Sequence, residues 1–166
     1  MNPVKIGILS DTHLARPNDD FMRRIAVCFA DTSMILHAGD LTDLSILQAF
    51  QGKEVYAVHG NMCNASASSI LPAKKEIRIG PFTIGLIHRA GAAYNFEEFL
   101  HDEFPEADCI VYGHTHRPVC RQIGSVLLIN PGSFLSTGRH GSPGTYAILE
   151  VGERLTCTLY EVQRQP

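Results

Sequence analysis

The chain has 166 residues, of which 45% are hydrophobic and 19% are charged. This composition excludes a disordered or collagen-like protein, and the length is typical of one domain, so we expect a single domain over residues 1–166. The net charge of −3 gives no general attraction to nucleic acids or to anionic membranes. A nucleic-acid partner is therefore not expected, and any anion must be recognised at a local site.

Cysteine content and the N-terminal sequence predict the compartment. The chain has five cysteines, an odd number, and none lies in a CxxC motif, which argues against a disulfide framework and a thiolate zinc site. The first residues lack the longer apolar core of a signal peptide. No run approaches the roughly 18 apolar residues of a membrane span. We therefore expect a soluble, cytoplasmic protein.

The first sixty residues alternate between apolar runs and amphipathic stretches. Short apolar runs predict buried strands at Val4–Ser10, Met34–Ala38 and Glu54–His59. Apolar residues three and four apart predict helices at Asp20–Ala30 and Leu44–Phe50. A β-α-β-α-β order is typical of a parallel sheet covered by helices.

The rest of the chain is rich in predicted strands. Lys75–Ile79 and Thr83–His88 flank Gly80-Pro81 and predict a hairpin, and a helix is predicted at Phe96–Phe104. Five more strands are predicted at Cys109–Tyr112, Val119–Ile123, Val126–Asn130, Tyr146–Val151 and Leu155–Val162. The whole pattern indicates an α/β protein with two packed sheets and helices outside them.

Seven polar side chains that can bind metal ions occur where five of the predicted strands end. They are Asp11 and His13, Asp40, Asn61, His88, and His114 with His116. A single Asp or His at a strand end is most often a turn former or a surface residue. Because ligands bind at the carboxyl ends of strands in α/β sheets, the seven together predict a site at that edge.

The donor atoms of this set are oxygen and nitrogen, which suits Mn²⁺, Fe, Zn²⁺, Co²⁺ or Ni²⁺. Seven donors exceed the needs of one tetrahedral ion and suit two ions that share a carboxylate. Two divalent ions would outweigh the charges of Asp11 and Asp40, so the site would attract phosphate. Ions about 3.5–4 Å apart can activate a hydroxide and hold a phosphoryl oxygen for in-line attack.

The order of the motifs points to a known family. The chain contains, in sequence, Asp11-Thr12-His13, Gly39-Asp40, Gly60-Asn61, His88 and Gly113-His114-Thr115-His116. This order resembles the signature of the calcineurin-like metallophosphoesterases, and Asn130-Pro131-Gly132-Ser133 resembles their small phosphodiesterase branch. The resemblance implies a four-layer α/β/β/α sandwich of two mixed sheets flanked by helices. It also implies a binuclear metal-dependent phosphoesterase that acts on diesters rather than monoesters.

The resemblance implies a role for each motif residue. One ion would be held by Asp11, His13, Asp40 and His116, and the second by Asp40, Asn61, His88 and His114, with Asp40 bridging. Mn²⁺ is the first choice of metal, ahead of Ni²⁺, Fe, Co²⁺ and Zn²⁺. We assign catalytic roles to Asp40, Asn61, His114 and Arg89, and we expect a small phosphate ester as the substrate. The oligomeric state is not assigned, and a homo-oligomer remains an alternative to a monomer.

The chain departs from the family pattern at two positions. Many members have a histidine after Gly-Asn, whereas this chain has Met62 and then Cys63, neither of which is a good general acid at neutral pH. Arg89 follows His88, where a small residue is usual; it could bind a phosphate oxygen, point to solvent or narrow the entrance. The branch also includes a retromer subunit, so a non-catalytic interaction scaffold is the alternative function.

Further candidates lie close to these motifs. His37 and His59 are expected to support the ligands rather than to bind metal directly. Cys63 is expected to be a small buried thiol, with a reactive thiol as the alternative. Two aromatic residues, Tyr94 and Phe96, could stack on a substrate or fill the core. Two further residues, Arg139 and His140, could cover the site or lie in a solvated loop.

Overall fold

The computed structural model describes residues 2–89, 95–135 and 143–163. The elements of the first half are β1 (Val4–Leu9), α1 (Asp19–Cys28), β2 (Met34–His37), a 3₁₀ helix (Leu44–Phe50), β3 (Glu54–Ala57) and α2 (Ala65–Ile70). Those of the second half are β4 (Lys74–Ile79), β5 (Phe82–Ile87), α3 (Phe96–Glu103), β6 (Cys109–Val111), β7 (Val119–Ile123), β8 (Val126–Asn130), β9 (Thr145–Val151) and β10 (Leu155–Glu161). Every helix in these ranges is too short or too polar to cross a membrane.

The strands form two mixed, five-stranded sheets. Sheet 1 has the order β10-β9-β1-β2-β3, in which β1, β2 and β3 are parallel and β9 is antiparallel to both neighbours. Sheet 2 has the order β4-β5-β6-β8-β7, with β5, β6 and β8 parallel and antiparallel strands at both edges. The carboxyl ends of the parallel strands therefore provide an edge on which a site can be built.

Three apolar layers hold the sheets and helices together. The central layer lies between the two sheets and includes Ile8 and Leu36 from sheet 1 and Leu86 and Val111 from sheet 2. A second layer packs α1 and the 3₁₀ helix on sheet 1 through Phe21, Phe29, Ile46 and Phe50, among others. A third packs α3 on sheet 2 through Leu100 and Phe104. This arrangement confirms the predicted four-layer α/β/β/α sandwich.

Two helical segments differ from the sequence-based prediction. Leu44–Phe50 is a 3₁₀ helix rather than an α-helix; it has seven residues, and the Asp43 side chain accepts a hydrogen bond from the Ser45 N–H at 2.8 Å. Helix α2 was not predicted, because only Ala67 of its six residues is buried and no apolar periodicity results. Its start could have been found from Asn64, whose side chain caps the helix by accepting from the Ala67 N–H.

Candidate metal centre

The seven residues predicted from the sequence come together at one edge of the sandwich. Their ligand atoms form two groups, each with atoms within 4.8 Å of one another: Asp11, His13 and His116 in the first cluster, and Asp40, His88 and His114 in the second cluster. Asn61 lies beside the second cluster. Each cluster combines residues that follow strands of both sheets.

In the first cluster, two imidazoles converge on one carboxylate oxygen. Nε2 of His116 lies 3.1 Å from Oδ1 of Asp11, and Nε2 of His13 lies 3.6 Å from the same oxygen. The two imidazole nitrogens are 3.4 Å apart. The other carboxylate oxygen, Oδ2, accepts a 2.6 Å hydrogen bond from the Ser10 hydroxyl, so Oδ1 stays directed at the imidazoles.

In the second cluster, His88 is held in one orientation by the backbone. Its Nδ1 lies 2.8 Å from the Ala38 carbonyl oxygen, which can only accept, so Nδ1 carries the proton. Nε2 then points to Oδ2 of Asp40 at 3.2 Å and to Oδ1 of Asn61 at 3.1 Å. The same Asn61 oxygen lies 3.2 Å from Nδ1 of His114. The bond between Nδ1 of His88 and the Ala38 carbonyl oxygen is of the kind that orients the imidazole of a metal-binding histidine.

The backbone of the site is held in a conformation that most residues avoid. Five of the seven candidate ligands have left-handed φ angles: Asp11 (54°), His13 (47°), Asp40 (55°), His114 (68°) and His116 (58°). Each costs about 1–2 kcal/mol relative to ordinary backbone. Hydrogen bonds between loops maintain the first two, from the Asp11 N–H to the Gly39 carbonyl and from the His13 N–H to the Asp40 carbonyl. Strain of this kind is concentrated at functional sites.

Two glycines bring the loops closer together than any other residue would permit. A Cβ atom on Gly60 would lie 2.1 Å from Oδ1 of Asp40, and one on Gly113 would lie 2.2 Å from the Ser10 hydroxyl. Neither glycine has a positive φ, so the requirement is for space and not for an unusual turn. Both glycines belong to the sequence motifs, but the sequence alone does not show which atoms each glycine lies against.

The electrostatics of the clusters favour a bound cation. Burial alone would raise the pKa of Asp11, but the nearby His13, the hydrogen bond from Ser10 and the charges of His88 and His116 together outweigh burial and lower that pKa to about 2. The pKa of Asp40 is also lowered, because its bonds with His88 and with the Met62 N–H outweigh burial. Burial lowers the pKa of His88, but the adjacent Asp40 raises it more, and the net shift is upward. Both carboxylates are therefore ionised at neutral pH and available to a metal ion.

Comparison with known proteins agrees with this geometry. A family model for the calcineurin-like phosphoesterase superfamily domain matches residues 4–154. The chain belongs to this superfamily. It is 33% identical over 156 residues to a probable metallophosphoesterase of Methanothermobacter thermautotrophicus, covering 90% of this chain and 88% of the relative. It is 26% identical over 146 residues to a phosphodiesterase of Methanocaldococcus jannaschii, covering 78% and 83%.

The similar solved structures share the fold of this phosphoesterase-superfamily domain. Vacuolar protein sorting 29 of Cryptosporidium parvum superposes with a TM-score of 0.78 at 18% identity, covering 98% of this chain and 93% of that one. Wild-type Vps29 of Entamoeba histolytica, solved in complex with Zn²⁺, gives a TM-score of 0.71 at 20% identity, covering 96% and 100%. Both similarities confirm the predicted architecture.

The positions at which this superfamily member departs from the common motif lie at the edge of the second cluster. The Met62 side chain is 56% exposed, and its backbone N–H donates to Oδ1 of Asp40 at 2.7 Å. The Cys63 sulfur accepts from the Gly60 N–H at 3.3 Å, so the thiol helps to shape the Gly60 turn. Neither side chain replaces the acid function of a histidine.

Arg89 and His59 line a cleft beside the second cluster. The cleft has a volume of about 510 Å³ and also reaches the candidate ligands Asn61 and His88. Arg89 is exposed. The pKa of His114 is lowered by burial first and then by the charges of His88 and Arg89. Phe96 packs edge-on against Tyr112, with ring centroids 4.9 Å apart, which favours the core role for Phe96. Tyr94, Arg139 and His140 lie outside the described residues.

His37 lies behind the first cluster and is fully buried. The Gly39 N–H donates to its Nδ1 at 3.2 Å, so the proton of the neutral ring is on Nε2, which donates to the Thr12 hydroxyl at 3.1 Å. Both ring nitrogens are therefore engaged with the loops that carry Asp11 and Asp40. Burial lowers the pKa of His37 to about 4.

The stability of the metal-free protein should depend on pH through His37. Its pKa is about 4 in the folded state and 6.5 ordinarily, so the unfolded chain binds the proton first as the pH falls. Stability that is present above pH 6.5 is lost progressively toward pH 4, by about 2 kcal/mol between pH 7 and pH 5. His13 and His88, whose raised pKa values act in the opposite direction, are present in every variant, so the loss is measured as a difference. Between pH 7 and pH 5, urea unfolding should show that the wild type loses about 2 kcal/mol more free energy of unfolding than His37→Gln. Replacing the exposed His101 by Gln should leave the pH dependence unchanged; equal slopes in all three proteins would contradict the assignment.

Proposed function

We propose that the protein is a binuclear metal-dependent phosphoesterase that hydrolyses phosphodiesters. The observation that carries this proposal is the pair of carboxylate–imidazole clusters at one edge of the sandwich, with the Asn61 amide oxygen beside them. Membership of the calcineurin-like phosphoesterase superfamily and a relative named as a phosphodiesterase support the reaction class. We further propose a small phosphate ester as the substrate and the cytoplasm as the location.

The donor sets fit two divalent ions. We assign one ion to the first cluster together with Asp40, and the other to the second cluster together with Asn61. A bridging role for Asp40 is supported by its electrostatic interactions with both Asp11 and His13 of the first cluster. Oxygen and nitrogen donors suit Mn²⁺, our first choice, as well as Ni²⁺, Fe, Co²⁺ or Zn²⁺. When bound, such ions supply an acidified water as nucleophile and positive charge for the phosphoryl oxygens.

The chain's own side chains position the substrate and limit the leaving group. Arg89 is exposed at the cleft and can bind a non-bridging phosphate oxygen, and no ion pair occupies it among the described residues. The thioether of Met62 has no proton to give to a departing oxygen. We therefore expect turnover to favour esters whose alcohol leaves without protonation, so that aryl diesters are hydrolysed faster than alkyl diesters.

The test is hydrolysis of an aryl phosphodiester by protein that has been stripped with a chelator. Stripped protein should be inactive, and adding back Mn²⁺, Ni²⁺, Co²⁺ or Zn²⁺ should restore turnover. The matching monoester should be hydrolysed more slowly, in line with the relative named as a phosphodiesterase. A dialkyl diester, whose alkoxide needs a proton to leave, should be at least about 100-fold slower than the aryl diester, because general acid catalysis typically contributes 10²–10⁴-fold. Circular dichroism of the stripped protein is the control for folding. Absence of turnover with every metal, in folded protein, would overturn the proposal.

The alternative function is a non-catalytic interaction scaffold. Structural similarity to Vps29 favours it, and the missing histidine at position 62 is compatible with it. Metal binding alone does not separate the two functions, because one Vps29 structure is a complex with Zn²⁺. Catalytic turnover does separate them. The completeness of both clusters is the reason we place the enzyme first.

A further inference from the structure

The cleft beside the second cluster is a pocket with two chemically different ends. One end is formed by Asn61 and His88, which belong to the candidate metal centre, and the pocket extends away from them toward α3. Its volume of about 510 Å³ is in the range of small-molecule sites. A ligand held at the second cluster would therefore have its remaining part inside the cleft.

The walls of the cleft away from the cluster are mostly apolar. Ala73 precedes β4, Ile87 ends β5, and Phe99 projects from α3, so three separate elements contribute apolar side chains. Ile87 is buried, Phe99 is half-buried, and Ala73 is exposed. The described lining contains no carboxylate, and Arg89 is its only permanently charged side chain. One cation close to an apolar surface complements a ligand with one negative charge and an apolar remainder.

We propose that this cleft is a specificity subsite for an apolar ester group, such as a phenyl ring, on the phosphodiester substrate. The proposal rests on the function proposed above. The phosphate lies at the second cluster with Arg89 beside it, and the ester group packs against Phe99, Ile87 and Ala73. A sugar in the same place would lose its bonds to water and gain few polar partners, so the cleft selects against it.

The test measures binding rather than turnover. Methyl phenylphosphonate and methyl methylphosphonate are monoanionic diester analogues that differ only in the apolar group on phosphorus. Calorimetric titration of the metal-loaded wild type should show about 10- to 100-fold tighter binding of the phenyl analogue, because filling an apolar pocket contributes about that much. Equal affinities for the two analogues would overturn the subsite.

Three variants locate the effect in the cleft. Phe99→Ala should reduce the phenyl-to-methyl affinity ratio to about 3 or less, whereas Phe99→Leu, which keeps apolar volume, should retain most of it. Ala73→Gln places an amide on the apolar wall at an exposed position where folding is not at risk, and should also reduce the ratio. Val27→Ala removes an exposed apolar side chain from α1 and serves as the control. An unchanged ratio in folded Phe99→Ala and Ala73→Gln would refute the subsite.

The two proposals fail in different ways. Binding of the methyl analogue together with metal-dependent diester hydrolysis, but with no preference for the phenyl group, would refute the subsite and leave the phosphoesterase assignment in place. If neither analogue binds and no diester is hydrolysed, the phosphoesterase assignment fails, and the subsite fails with it.

Discussion

Replacement of Asp40 by asparagine should lower metal-dependent diester turnover on the order of 10³-fold and leave the fold intact. The amide oxygen of asparagine can still accept the Met62 N–H, which Asp40 now binds at 2.7 Å. With the amide oxygen on the Met62 N–H, the atom that faces Nε2 of His88 at 3.2 Å would become the amide NH₂ nitrogen, which does not bind metal ions. Turnover at saturating Mn²⁺ and the number of bound metal ions per chain, measured by elemental analysis, should both fall.

Asp43→Asn is the matched control for this variant. It makes the same chemical change three residues away, where the half-buried Asp43 carboxylate caps the 3₁₀ helix. We expect a change in turnover of less than about threefold, because the neutral side chain can still cap. Full metal-dependent activity in Asp40→Asn, with two ions bound, would show that the bridging assignment is wrong.

Replacement of Gly60 by alanine should cost metal affinity and lower turnover on the order of 10²-fold. The added Cβ would lie 2.1 Å from Oδ1 of Asp40 and 2.7 Å from Cδ2 of His88, so the loop or both ligands must move. A displacement of about 1 Å in a catalytic group is enough to cause a loss of this size. The strain should also lower the free energy of unfolding by about 1–3 kcal/mol. Metal titration, turnover and urea unfolding measure the three effects.

Gly152→Ala is the control for the added methyl group. A Cβ at Gly152 would meet only Pro3, at 3.5 Å, which is an ordinary contact. Metal affinity and turnover should therefore match the wild type. Wild-type metal affinity in Gly60→Ala would show that the loop after β3 can move aside, and that the close approach to Asp40 is not required.

The sequence was sufficient to predict the sheets and the candidate ligands that the structure brings together, for a local reason. Buried strands produce short apolar runs, and the polar residues that follow five of those strands form a motif with a fixed order. The hairpin around Gly80-Pro81 is confirmed by the antiparallel pairing of β4 and β5. The strand predicted to reach His59 ends at Ala57, because the His59 N–H donates to the Pro72 carbonyl and not to a strand of sheet 1.

Features that depend on contacts between distant segments could not be predicted from the sequence. The left-handed backbone at Asp11 depends on a hydrogen bond to Gly39, 28 residues away in the sequence. The position of Phe99 in the same cleft as Arg89 depends on how α3 packs against sheet 2. Neither leaves a periodic pattern in the sequence, since both are set by tertiary packing.

Both clusters bridge the two sheets of the sandwich. In the first, Asp11 and His13 follow a strand of sheet 1 and His116 follows a strand of sheet 2; in the second, Asp40 and His88 are divided in the same way. An ion bound in either cluster would therefore contact side chains from both sheets, and its binding free energy would oppose separation of the two sheets. By reciprocity, any substitution in the central apolar layer that spreads the sheets must weaken metal binding, even though it touches no ligand. Metal affinity in this fold is thus a property of the packing between the sheets as much as of the residues that bind the ion.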